Sequence, residues 1–173
     1  MKIALLGYGK MGKAVEKIAL AKGHEIVYKV SLENAFDFMP ISLQNVDVAI
    51  DFSMPDAAVE NINKCFEAKV PLVIGTTGWY DQFGEIKSRC LNEGQSMVYS
   101  TNFSVGVNIF FKLNKILAKM MAELEDYDVM IEEIHHTEKK DHPSGTALTL
   151  VNQILAESKI KDSYKGRLIY NEN

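Results

Sequence analysis

With 173 residues, 47% of them hydrophobic and 24% charged, the chain has the composition of an ordinary folded protein, long enough for one sizeable core or two small ones. A net charge of -4, with lysines scattered along the chain, leaves no electrostatic footprint for a nucleic acid and favours small-molecule partners. Cys65 and Cys90 stand alone, which argues against a disulfide framework or a zinc site, and the apolar start of "MKIALLGYGKMG" meets glycines too early for a signal peptide or membrane span. A cytoplasmic protein with free thiols is expected.

Along the first hundred or so residues, short apolar runs alternate with longer segments of helical spacing, the pattern of βαβ units around a parallel sheet. Ile3 to Leu6, Ile26 to Val30, Val46 to Ile50, Leu72 to Ile74 and Met97 to Tyr99 read as strands. Met11 to Ala21 and Phe83 to Leu91 read as helices, and Pro55 opens another at its first turn.

Between the first strand and the first helix lies "GYGKMG", residues 7 to 12, a G-x-G-x-x-G pattern in the context that gives it meaning. Gly7 allows the tight turn, Gly9 lets backbone approach a pyrophosphate, and Gly12 permits close packing of helix on strand. The positive start of the helix would hold the anion. The acid expected after the second strand, for the ribose of NAD, is replaced by Ser31; Glu33 lies two positions on, and Lys29 is placed to attract a 2′-phosphate. NADH and NADPH are both open.

"IDFSMP" (50 to 55), "VIGTTGW" (73 to 79) and "STNFSVGV" (100 to 107) each follow a strand, at the sheet edge where open α/β folds bind ligands. Thr76 and Thr77 offer hydroxyls there, although a capped turn explains the same residues equally well.

Ser104 to Leu124 is a long amphipathic segment whose stripe of Val105, Ile109, Leu113, Ile116, Leu117 and Met120 predicts a helix packed in a core. A second unit therefore begins near residue 104. Val129 to Ile134 reads as a strand and Thr146 to Glu157 as a helix, while "KGRLIYNEN" at the end starts another strand, so this unit reads as incomplete, to be finished by another chain or by more of the same one.

"EIHHTEKKDHPSGTAL", residues 133 to 148, joins that strand and helix. As the end of a strand it would turn His135 and His136 to opposite faces, and Ser144 is the expected N-cap of a helix whose free N–H groups suit a carboxylate. Lys139 lies on the connecting loop as a candidate proton donor, whereas Lys140 reads as a solvated charge. Adjacent histidines without a spaced acidic ligand make a metal site unexpected. A dinucleotide loop joined to a carboxylate-binding, proton-donating segment implies reduction of an unsaturated anionic small molecule.

In order along the chain, "GYGKMG", "IDFSMP", "GTTGW", "NFSVGVN" and "EIHHTEKKDHPSGTAL" are the motifs of a known family: the chain resembles the 4-hydroxy-tetrahydrodipicolinate (dihydrodipicolinate) reductases of the diaminopimelate route to lysine. The resemblance implies an N-terminal Rossmann-type domain over residues 1–103 and an α+β substrate-binding and oligomerisation domain over 104–173, truncated here because the family's chains run further and build a homotetramer. It implies NADH or NADPH as cofactor, contacted by Gly7, Tyr8, Gly9, Lys10, Met11 and Gly12 at the pyrophosphate, by Ser31 near the ribose, by Phe52, and by Gly75, Thr76, Thr77, Ser100, Thr101, Asn102 and Phe103 around the nicotinamide. It implies His135 and Lys139 as the catalytic pair, and His136, Ser144, Gly145 and Thr146 as ligands of a small dicarboxylate substrate. Alternatives are another two-domain nicotinamide dehydrogenase, against which the histidine-lysine spacing argues, or a nucleotide-binding module without catalysis.

Overall fold

The structure, a computed structural model, describes residues 1–135 and 142–166. The chain divides into two compact units, Met1–Thr101 and Asn102–Asn173.

Five strands form the first unit's sheet: β1 (Lys2–Leu6), β2 (Glu25–Val30), β3 (Val48–Asp51), β4 (Leu72–Ile74) and β5 (Met97–Tyr99). They are all parallel in the order β2-β1-β3-β4-β5, the doubly wound Rossmann arrangement. Helices α1 (Lys10–Ala21), α2 (Pro55–Glu67) and α3 (Phe83–Asn92) connect them.

Strand β1 shows why the run was so readable. Its side chains alternate between two dry faces: Ile3 and Leu5 pack with Ala19 of α1, while Ala4 and Leu6 join Ala58, Ile62 and Phe66 of α2 in the larger core. Each of these large side chains contributes roughly 1.5–3 kcal/mol by leaving water. Ile86 brings α3 onto the same core as α2.

One strand is displaced from its expected place. β3 starts at Val48 rather than Val46, because Asn45 takes a left-handed turn (φ 62°) and the Val46 N–H donates back to Leu43. The strand then runs on to Asp51, which the apolar pattern had left outside it.

In the second unit, α4 (Val105–Met121) and α5 (Gly145–Glu157) pack together, with the Asn114 amide donating to the Leu150 carbonyl and the Gln153 side chain. Ser104 and Ser144 cap them by accepting from the N–H groups of Val107 and Ala147. Two expectations need correction. Val129 to Ile134 forms no strand, since no neighbouring strand among the described residues offers it a ladder. The apolar stripe of α4 is not core either: Val105, Leu113 and Met120 are 75%, 58% and 71% exposed, and only Phe111 is buried. The described residues of this unit hold no sheet to lie across that face. The expected final strand, residues 167–173, lies outside the described residues.

Candidate functional site

In the first unit the site is built at the carboxyl ends of the strands. The ladder continues past the strand ends, with Phe52 N–H donating to Leu6 O at 2.8 Å and Gly75 N–H to Asp51 O at 2.9 Å, so the loops after β1, β3 and β4 lie side by side. Backbone N–H groups of Gly7 and Tyr8 both donate to Val30 O, tying the glycine loop to the end of β2.

The three loop glycines differ in what surrounds them. Gly7 has φ +91°, and a Cβ there would lie 2.3 Å from the Phe52 carbonyl; one on Gly12 would lie 2.4 Å from the Gly7 carbonyl. Around Gly9 nothing stands within 4 Å of that position. The loop is therefore closed on its inner side and open where a phosphate would approach, and α1 begins beyond Gly9 with no side chain capping its N–H groups. This fits a dinucleotide pyrophosphate. Lys10 and Met11, in the helix's first turn, are exposed beside it.

Beside the end of β2, the Tyr8 hydroxyl donates to Glu16 and the Lys29 ammonium pairs with the other Glu16 oxygen at 2.7 Å while lying 4.8 Å over the Tyr8 ring. Lys29 and then Tyr8 hold the Glu16 carboxyl below its usual range. Ser31 is occupied locally: its N–H and hydroxyl both donate to the Asn34 side chain, whose amide donates to Lys29 O. Glu33 is tied into the same turn through its N–H, donated to the Ser31 hydroxyl.

Sequence reasoning missed the centre of this site. Asp51, fully buried at the end of β3, accepts from Thr76 Oγ1 (2.5 Å), Ser53 N (2.9 Å), Ser53 Oγ (2.8 Å) and Asn61 Nδ2 (2.8 Å). Burial pushes its carboxyl up, against the pull of those hydrogen bonds. The Thr76 hydroxyl, expected to face a ligand, is turned inward to this carboxylate, and Thr76 O accepts from the Trp79 indole at 2.9 Å. Gly75 is pressed on the Phe52 ring: a Cβ there would fall 2.1 Å from ring atom Cε1. The signal available was a lone carboxylate directly after an apolar run. Thr77, Ser100 and Thr101 are half-buried along the same edge. A broad depression of about 450 Å³, bordered by Lys2, Glu25 and Asp47, lies at the strand starts, the end away from these loops.

In the second unit, Asn102 caps the approach to α4, its side chain accepting from Ser104 N at 2.8 Å, and Phe103 is 44% exposed. His135 Nε2 lies 2.7 Å from one oxygen of Glu133, whose other oxygen accepts the Ser144 N–H at 2.9 Å. Glu133 is thus a second residue that sequence reasoning passed over, although it stands two positions before the histidine. Partial burial works against its charge, but bonds from Ser144 and His135 win and hold the carboxyl at about 2. With the Ser144 N–H taken by Glu133 and the Ala147 N–H by the Ser144 hydroxyl, the helix start offers Gly145 and Thr146 N–H, which have no intrahelical acceptor. His136, Lys139 and Lys140 lie outside the described residues. Among the described residues no group of histidine, cysteine or acidic side chains could hold a metal, and no helix is long and apolar enough to cross a membrane.

A doubly wound sheet with an open glycine loop at its strand ends defines a dinucleotide-binding fold, here followed by a helical unit carrying a histidine and a carboxylate at a helix start. The chain belongs to the dihydrodipicolinate reductase family, whose N-terminal and C-terminal regions match residues 1–103 and 106–170. It is 51% identical over 162 residues to the 4-hydroxy-tetrahydrodipicolinate reductase of Christiangramia forsetii, covering 93% of this chain and 67% of that one. With the enzyme of the same name from Staphylococcus haemolyticus it shares 37% over 161 residues, 89% of this chain and 64% of that one. The chain thus spans about two thirds of the length of these relatives. Among solved structures, a dipicolinate-bound dihydrodipicolinate reductase from a Paenisporosarcina species has the same fold, with a TM-score of 0.70 and 24% identity over 99% of this chain and 72% of that one. The family consists of NAD(P)H-dependent oxidoreductases of lysine and diaminopimelate biosynthesis.

Proposed function

We propose that the protein reduces 4-hydroxy-tetrahydrodipicolinate to tetrahydrodipicolinate, and that residues 1–103 bind the coenzyme while 104–173 bind the substrate and contribute to a homotetramer. The observation that carries the reading is the match of both regions of the family in order, together with a glycine loop closed at Gly7 and Gly12 and open at Gly9.

In this reading the Gly7–Gly12 loop and the α1 N-terminus bind the pyrophosphate, with Tyr8, Lys10 and Met11 beside it, and Ser31 is near the adenosine ribose. Phe52, Gly75, Thr76 and Thr77 form one side of the nicotinamide subsite through backbone and ring surfaces, continued by Ser100 and Thr101; Asn102 and Phe103 are coenzyme residues by the family pattern. The bound coenzyme supplies a hydride. His136 and the N–H groups of Gly145 and Thr146 bind the substrate carboxylates, and Ser144 holds that turn in shape. The 4-hydroxyl leaves as water, which makes a ring double bond; one of its carbons takes the hydride, and Lys139 gives a proton to the carbon beside it, with His135 assisting. Free Cys65 and Cys90 support a reducing, cytoplasmic setting.

The test is coenzyme oxidation by the purified chain with and without the dihydrodipicolinate precursor. Oxidation only with the precursor, and a loss on the order of 100-fold in Lys139→Ala with coenzyme affinity kept, is the expected outcome. Normal turnover in Lys139→Ala would remove that assignment. Coenzyme binding without turnover, and without heat from a pyridine dicarboxylate, would favour a nucleotide-binding module.

A further inference from the structure

We propose that Glu133 is a positioning residue that selects the working nitrogen of His135: one carboxylate oxygen holds Nε2–H, the other holds the Ser144 N–H, and Nδ1 is left as the nitrogen that exchanges protons. This rests on the reading of His135 as a partner in proton transfer and goes beyond it by naming the atom and the residue that fixes it.

An ionised carboxylate only accepts, so the ring nitrogen 2.7 Å from Glu133 Oε2 must carry the hydrogen. Glu133 is ionised across the working pH range, its carboxyl being held at about 2. A neutral His135 is then the Nε2–H tautomer with its lone pair on Nδ1, and a charged one has Nδ1–H as its transferable proton. The second bond gives the carboxylate its fixed place. Ser144 N lies 2.9 Å from Oε1 although it is eleven residues further along the chain, so the imidazole and the substrate-binding helix start are held to one side chain. Ser144 is itself 4% exposed and its hydroxyl is engaged by Ala147 N, which stiffens that anchor. A negative group at this helix start is also favoured by the helix dipole. The arrangement leaves Gly145 and Thr146 for the substrate and keeps Glu133 from being displaced by it.

Glu133→Gln separates position from charge. The amide oxygen still accepts from Ser144, while the amide NH2 now faces the imidazole and requires Nε2 to accept, which moves the hydrogen to Nδ1. The experiment uses the full chain with coenzyme: long-range proton–nitrogen spectra of the labelled histidines, with His135→Ala for assignment, beside steady-state kinetics. We expect wild-type His135 as the Nε2–H tautomer, Glu133→Gln shifted to Nδ1–H, and kcat lower on the order of 100-fold with coenzyme KM unchanged. A wild-type ring protonated mainly on Nδ1, or a Glu133→Gln variant with unaltered tautomer and kcat, would overturn the proposal. Wild-type turnover in His135→Ala would instead sink the functional reading of the histidine, and the catalytic half of this proposal with it; the tautomer then judges the carboxylate's hold by itself.

Discussion

Thr76 donates its hydroxyl to the buried Asp51 at 2.5 Å, so the loop after β4 is fastened to the last residue of β3 rather than offered to the solvent. Asn61 of α2 and both polar groups of Ser53 meet the same carboxylate, which makes Asp51 a shared acceptor for the loops after β3 and β4. Replacing it by alanine takes the acceptor from Thr76 Oγ1 and Ser53 N, and leaves Asn61 Nδ2 and Ser53 Oγ only their longer bonds to Ser53 Oγ (3.2 Å) and Met54 O (3.4 Å). We expect Asp51→Ala to destabilise the first unit by about 3 kcal/mol or more and to weaken coenzyme binding, measured by urea unfolding and coenzyme titration. Unchanged coenzyme affinity in a folded Asp51→Ala protein would show that the loops hold their shape without it.

Gly75→Ala tests the contact with Phe52 from the other side. A methyl placed 2.1 Å from the ring must push it away or move the loop, at a cost of about 1–3 kcal/mol. Shrinking the ring should relieve this, so the double variant Gly75→Ala with Phe52→Ala should lose less stability than the sum of the two single variants. Simple additivity in thermal unfolding would contradict the contact.

The proposed coenzyme site sets Glu16 against a 2′-phosphate. The Glu16 carboxylate pairs with Lys29, so a 2′-phosphate seeking that ammonium must compete with it. Glu16→Gln should raise kcat/KM for NADPH relative to NADH by roughly fivefold, the scale of one charge pair in watery surroundings. A ratio that does not move would put the phosphate elsewhere.

The strands β1, β4 and β5 and the helix starts at Pro55, Ser104 and Ser144 were legible because each is decided locally, by a short apolar run or by a capping residue. Residues 129–134 alternate like a strand, but a strand exists only where a neighbour accepts its hydrogen bonds, and a period-two pattern says nothing of that neighbour. The stripe of α4 fails for a related reason: amphipathicity tells which face seeks cover, not whether cover is present. Asp51 and Glu133 were overlooked because their importance lies in partners 25 and 11 residues away, Thr76 and Ser144, which no local spacing reveals.

The two helix caps should differ. Ser144 accepts from Ala147 N at 3.0 Å and is buried, whereas the Ser104 bond to Val107 N is 3.5 Å long and exposed. Ser144→Ala should cost about 1 kcal/mol and Ser104→Ala distinctly less, by chemical unfolding. Equal losses would mean that cap geometry is not what matters.

The two carboxylates respond to acid with opposite sign. Glu133 is depressed from 4.5 to about 2, so its contribution is complete above 4.5 and disappears as the pH falls towards 2; screening at a partly exposed site limits this to about 1 kcal/mol. Asp51 is raised above its ordinary 3.8, so the folded first unit holds that proton more tightly than the unfolded chain does, and stability declines as pH climbs from 3.8 through the raised value. Amide exchange read separately for α5 and for β3 in the intact chain, corrected for intrinsic rates, should show these opposing slopes. Glu133→Gln should flatten the first alone and Asp51→Asn the second alone.

Every residue of the first unit's two apolar clusters falls between Ile3 and Met97, among the described residues. During synthesis, then, the nucleotide-binding half has all its interior side chains in hand once β5 clears the ribosome tunnel, and it can condense while the helix bearing Ser144 is still being translated.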